Sequence, residues 1–141
     1  MSDSPGSIVL LTRLSRLIYK RATEDVLGMK LKAYMTLSNL REGRRSQQDL
    51  CIAMHLDPNN CVLLLNELEG AGYVERRRDP ADRRRHIVEI TAAGREAMAS
   101  AEGAMESLED DVLGSLSAQE REVLRELLAR AFASETAAQP V

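Results

Sequence analysis

Aromatic residues are scarce in this chain: 3% of 141 residues, with no Trp and a single Phe, Phe132. A core without large rings must be filled by Leu, Val, Ile, Ala and Met, and such side chains favour helices. Cysteine is nearly absent. Two cysteines make no disulfide framework, and a reducing cytoplasm is the expected compartment. No apolar run reaches the ~18 residues of a membrane span. The opening MSDSPGS lacks the basic segment and apolar core of a signal peptide. A membrane partner is therefore not expected. Excess basic charge is missing as well: 19 Lys+Arg stand against 22 Asp+Glu, a net charge of -3.

That acidity is unevenly spread. Residues 1–90 hold 15 Lys+Arg and 12 Asp+Glu, a net of +3, while residues 91–141 hold 4 and 10, a net of -6. A mildly basic body thus carries an acidic C-terminal arm. A phosphate backbone responds to local field, so the global balance does not exclude nucleic acid. Two arginine triplets, Arg76–Arg78 and Arg83–Arg85, lie within one short stretch, YVERRRDPADRRRHIVEIT.

The spacing of apolar residues predicts a helix over 7–27, with Gly28 as the break, and a second over about 30–41 stopped near Gly43. Ser46, with Asp49 three residues on, opens a third helix ending near Met54. Asp57 as N-cap and Pro58 at the first helical position open a fourth, which runs to about Ala71 with Gly72 beyond it. Two short helices joined by a tight turn are a helix-turn-helix pattern. Val74/Arg76 and Ile87–Ile90 read as strands around Asp79-Pro80-Ala81-Asp82, a turn in which Asp82 can bond its own backbone. Thr91 caps a long helix to about Leu113. Its apolar residues Met98, Ala101, Met105, Leu108 and Val112 follow a heptad spacing that reads as a dimer seam. Ser117 and Glu120 form a capping box for the last helix, striped by Leu124, Leu127, Leu128, Ala131 and Phe132. Residues 1–6 and 135–141 read as flexible tails.

The fold expected is mainly α with a small β-hairpin wing: a winged helix-turn-helix lobe over 30–90, with helices over 7–27 and 91–134 for dimerisation. In this arrangement the second short helix enters a major groove and the hairpin lies over the adjacent minor groove. A lone arginine cluster is more often a solvated surface run. Here both triplets flank a turn directly after a capped helix pair, which favours double-stranded DNA as partner.

LEGAGYVERRRDPADRRRHIVEITAAG, residues 68–94, resembles the MarR family (multiple antibiotic resistance regulators). The family signature is a D-x-R wing tip followed by V-x-[LI]-T-x-x-G, matched by Asp82-Arg83-Arg84 and by Val88 through Gly94. The resemblance extends from Ser7 to Phe132. It implies a homodimeric bacterial transcription factor, usually a repressor relieved by a small ligand or by oxidation, acting in the cytoplasm at the nucleoid. By position, Arg84 is the family's minor-groove arginine and Asp82 holds the wing in shape. Arg83 and Arg85 have weaker claims. Arg44, Arg45, Arg76, Arg77 and Arg78 are candidates for phosphate contact. One departure stands out: the fourth helix, DPNNCVLLLNELE, has no Lys or Arg. Asn59, Asn60, Val62 and Leu63 suit an A·T-rich site, since Asn pairs with adenine and aliphatic groups touch the thymine methyl. The competing reading makes Val62 and Leu63 simply core. Glu67 and Glu69 are expected to lie away from the duplex.

Cys51, His55 and Cys61 invite a metal or redox reading. Buried structural cysteines are favoured instead, with His55 at a turn where the family commonly has Gly and where His tolerates positive φ. His86 reads as a surface residue near phosphate. No metal and no cofactor is expected. Family ligands are often small aromatic or phenolic effectors bound between the dimer base and the winged lobe. Arg16, Tyr19, Tyr34 and Met35 are the candidates here. No nucleophile with an adjacent base, phosphate-cradling loop or carboxylate pair points to an enzyme. The alternative function is a winged-helix dimer that binds protein, with a weakened DNA face.

Overall fold

The computed structural model describes residues 4–138, with side chains to residue 134. The elements run α1 (Ser7–Arg21), α2 (Glu24–Leu27), α3 (Leu31–Asn39), β1 (Arg45–Ser46), α4 (Gln47–Ala53), α5 (Pro58–Gly70), β2 (Val74–Arg78), β3 (His86–Ile90), α6 (Ala92–Val112) and α7 (Ala118–Ala138). Among the described residues no helix is long and apolar enough to cross a membrane.

The first predicted helix is two. The chain leaves the helix at Ala22, whose ψ of 60° is non-helical, and restarts after the extended Thr23. The break lets Ala22 and Leu27 both turn inward, where they pack with Leu31 and Leu108. Gly28 then reverses the chain at φ 79°.

Three local predictions are met by hydrogen bonds. Ser46 Oγ accepts from Asp49 N at 3.1 Å, Asp57 Oδ1 accepts from Asn60 N at 2.9 Å, and Ser117 and Glu120 cap each other. His55 takes φ 53° at the turn between α4 and α5, as its position suggests.

The sheet has three strands, where the sequence shows two. β1 pairs antiparallel with β3 on the side opposite β2, with Arg45 facing Val88 and Ser46 facing Ile87. Two residues carry no alternation to read, so the strand is set by its partner. The main core gathers Leu37, Leu40, Leu50, Leu65, Val74 and Val88, all at most 1% exposed, from α3, α4, α5 and the sheet.

Two further expectations change. The heptad residues of α6 are turned to the chain's own body: Met98 and Ala101 join the main core, and Leu108 joins the cluster with Ala22 and Leu31. The helix is the spine of its own chain, with Met105 and Val112 half-buried against the second cluster. The exposed apolar surface lies instead on α1 (Ile8 to Leu11) and on α7 (Val123, Leu127, Leu128, Phe132). Residues 135–138, expected as tail, continue α7 as backbone helix; residues 1–3 and 139–141 lie outside the described residues.

Cys51 and Cys61 form a disulfide, contrary to the expectation of unpaired buried thiols. The crossing of α4 and α5 brings their Cα atoms to 5.7 Å, inside the normal bridging range. Ten residues of sequence separation hid that proximity.

The signature V-x-I-T-x-x-G has a physical basis here. Thr91 donates its backbone N–H to Tyr73 O and its hydroxyl to Gly72 O, and it accepts from Gly94 N. One residue thereby ends β3, caps α6 and ties both to the loop before β2. Gly94 sits so close that a Cβ would lie 2.2 Å from Tyr73 O.

Candidate nucleic-acid interface

Helix α5 buries Cys61, Leu64, Leu65 and Leu68. At 100° per residue the opposite face carries Asn59, Leu63 and Asn66, with Val62 toward the wing. Leu63 is 61% exposed and Val62 38%, so neither is core. Asn59 is exposed in the first turn. Asn60 is committed: its backbone N–H and its Nδ2 donate to the two carboxylate oxygens of Asp57, at 2.9 and 2.7 Å. Asp57 thereby caps the helix that presents Asn59 and Leu63.

The wing arginines divide into two groups. Arg76, on β2, turns back toward α5. Its guanidinium donates to Asn66 Oδ1 and to Glu69 Oε1 at 3.0 Å, and its backbone N–H donates to Glu69 Oε2. Its side chain is only 17% exposed. The Arg76 side-chain hydrogen bond, then its backbone hydrogen bond, hold the Glu69 carboxyl below the usual carboxylate range. Arg77 pairs with Glu89 on β3 at 2.9 Å. Arg78 donates to the carbonyl of Arg83, bracing the loop.

The tip is built by its two aspartates. Asp79 Oδ1 accepts from Ala81 N, and Asp82 Oδ1 accepts from Arg84 N at 3.1 Å. Asp79 N donates to Arg85 O, and Arg85 N to Asp82 O. Asp82 thus shapes the tip, and it also pairs at 3.4 Å with the Nε of Arg84. The Arg84 side chain is 92% exposed, so this pair leaves its terminal nitrogens free to reach outward. Arg83 and Arg85 are exposed and make no ion pair among the described residues. His86 is exposed at the start of β3.

Arg44, just before β1, and Arg45, its first residue, are exposed and line a polar hollow with Ser38, Asn39 and Glu42. Glu67 pairs with Lys30 at 3.3 Å and Glu69 with Arg76, so both acids of α5 are matched by a cation of the same chain. The partners Glu69, Asn66 and Glu89 were not legible as such. Only the alternation of Glu and Arg on adjacent elements hints at them.

A cavity of about 860 Å³ opens between α1, α3, α6 and α7. Tyr19, Tyr34 and Met35 line it, with Leu14, Ile18 and Met105. Arg16 is exposed on α1 and is not part of that lining. The one arginine present, Arg41, is paired with Glu102 at 2.9 Å. No group of three or more His, Cys, Asp or Glu among the described residues could hold a metal ion.

With this geometry in view, residues 27–85 match the MarR family. The chain belongs to that family. An HTH-type transcriptional regulator of Bacillus subtilis, YdgJ, is 32% identical over 119 residues, covering 78% of this chain and 73% of its own. A crystal structure of MarR is similar at a TM-score of 0.80 and 27% identity, over 97% of this chain and 95% of that one. A mutant MarR from E. coli complexed with operator DNA shares the fold at a TM-score of 0.73 and 21% identity, over 86% of this chain and 90% of its own. The chain is a winged-helix transcriptional regulator of the DNA-binding MarR family.

Proposed function

We infer that this regulator acts as a homodimer on a palindromic operator, as a repressor released by a small molecule. The observation that carries the reading is the pairing of an uncharged outward face on α5 with a wing tip whose Arg83, Arg84 and Arg85 project into solvent. The helix matches a major groove in shape, and the tip supplies the charge that a minor groove attracts. Arg44 and Arg45 extend the basic surface at the other edge of the sheet, suited to phosphate.

The apolar faces of α1 and α7 support a dimer built from 7–27 and 91–134 around the 30–90 lobe. Ile8 to Leu11 on α1 and Val123, Leu127 and Leu128 on α7 are exposed, and apolar patches of that kind mark interaction sites. Two lobes joined this way address half-sites about one helical turn apart.

The cavity beside Tyr19, Tyr34 and Met35 suits a small aromatic effector. Glu102, Glu106 and Glu109 outnumber Arg41 around it, which favours an uncharged phenol over an anionic ring. Binding there adjoins α1 and α3 at once, and so couples to the spacing of the lobes.

The lack of Lys and Arg on α5 favours a second reading, in which the dimer binds protein. Nuclease footprinting of the DNA flanking its own gene separates the two. The expected result is a protected, two-fold-symmetric site that a micromolar dimer occupies. No protection at any salt concentration, from a protein that sediments as a dimer, supports the protein-binding reading.

A further inference from the structure

We propose that Leu63 and Asn66 together read a thymine in each half-site, and that Arg76 is a positioning residue rather than a phosphate contact. The proposal rests on the DNA-reading function above and names the base that this helix selects.

The chemistry begins with the Asn66 amide. Its Oδ1 accepts from Arg76, and Arg76 is itself fixed by Glu69, which takes both the guanidinium and the backbone N–H. The acceptor end of the amide is therefore turned to the wing. Its Nδ2 donates to no partner among the described residues, and the residue is exposed. A free Asn offers both a donor and an acceptor, which is what adenine recognition uses. A bracketed Asn66 offers a donor.

Leu63 supplies the second half. It lies three residues before Asn66 on the outward face, at a spacing that makes neighbours on a helix, and is 61% exposed. An apolar group next to a hydrogen-bond donor matches one major-groove edge: thymine, with its C5-methyl group beside the O4 acceptor. Cytosine presents a donor where Asn66 presents one, and lacks the methyl group. Guanine offers acceptors but nothing for Leu63. Arg76, four-fifths covered and matched by Glu69, brings little net charge to the duplex. Its effect on DNA passes through the orientation of Asn66.

The test uses the full-length protein and a randomised duplex library. Wild type is expected to enrich a thymine at one symmetric pair of positions. In competition binding, deoxyuridine there removes only the methyl group. It should weaken wild type several-fold and leave Leu63→Ala indifferent. 5-Methylcytosine keeps the methyl group and reverses the hydrogen bond. It should cost wild type on the order of tenfold, and Asn66→Ala much less. Asn66→Asp, an acceptor in the same place, should shift the preference toward cytosine. Arg76→Met should broaden the enriched base while leaving the salt slope unchanged. Circular dichroism checks that each variant is folded; Leu63 and Asn66 are surface positions and their loss leaves the core intact. If Asn66→Ala and Leu63→Ala enrich the same bases as wild type, the thymine assignment is overturned and DNA binding stands. If Arg76→Met flattens the salt slope without changing base preference, Arg76 is a phosphate contact and its positioning role is overturned. If wild type enriches no sequence at all, the DNA-reading function falls together with this assignment.

Discussion

Single residues carry two roles that their neighbours define. Glu69 is the clearest, because its carboxylate serves Arg76 through both oxygens. Its pKa is lowered in the folded protein, so the stabilisation it gives is present above the ordinary carboxylate range and is lost as pH falls through the lowered value. Carbon-detected NMR titration should find Glu69 titrating below an unpaired glutamate in wild type, and returning to the ordinary range in Arg76→Met. An unmoved midpoint would mean that the bracket does not persist in solution. Gly94 is a different case. An alanine there would push its Cβ into the backbone oxygen of Tyr73 and the side chain of Ile90, neither of which can swing away as a long flexible chain would. Gly94→Ala should cost at least ~2 kcal/mol in urea denaturation; a cost near zero would show that the loop before β2 yields. The identity of this glycine was legible in the T-x-x-G motif. The reason for it was not, because Tyr73 is 21 residues away in sequence.

At the scale of elements, the caps were legible because their signals are local. Ser46, Asp57, Thr91 and Ser117 each cap the helix that follows from within three or four residues. What escaped the sequence depends on distant partners. β1 needs β3, the α6 seam needs α1 and α3, and the bond between Cys51 and Cys61 needs the crossing angle of α4 and α5. That bond joins α4 to α5. A cross-link closing a loop of this length contributes ~2–3 kcal/mol, chiefly by restricting the unfolded chain. The Cys51→Ser/Cys61→Ser protein should therefore melt several degrees lower than the oxidised wild type, and a reducing agent should lower the wild type alone. The double variant should still bind DNA, since α5 keeps Leu64, Leu65 and Leu68 in the core. Equal melting temperatures with and without reductant would mean that the thiols stay apart in solution.

Across the whole molecule, an acidic chain gathers six of its arginines in one hairpin. Six arginines flank the wing turn, yet Arg76 and Arg77 are matched by Glu69 and Glu89, and Arg78 braces the loop. The sequence shows the cluster but not this division of labour, which rests on strand register and on side-chain reach. At the far end, α7 leans on the reading head: the ring of Phe132 meets His55 edge-on, with centroids 5.7 Å apart. Helix α7 thus touches the turn between α4 and α5. Groove reading by the wing tip falls to Arg84, whose side chain is the most exposed of the paired arginines. Fluorescence anisotropy on the footprinted site and on a scrambled duplex, across a salt series, tests it with wild type, Arg84→Ala and Arg77→Ala. Arg84→Ala should lose about 1–3 kcal/mol on the specific site and less on the scrambled one, while Arg77→Ala should change both little, because Arg77 is already paired with Glu89. An Arg84→Ala protein that is folded and binds both duplexes as tightly as wild type would contradict it.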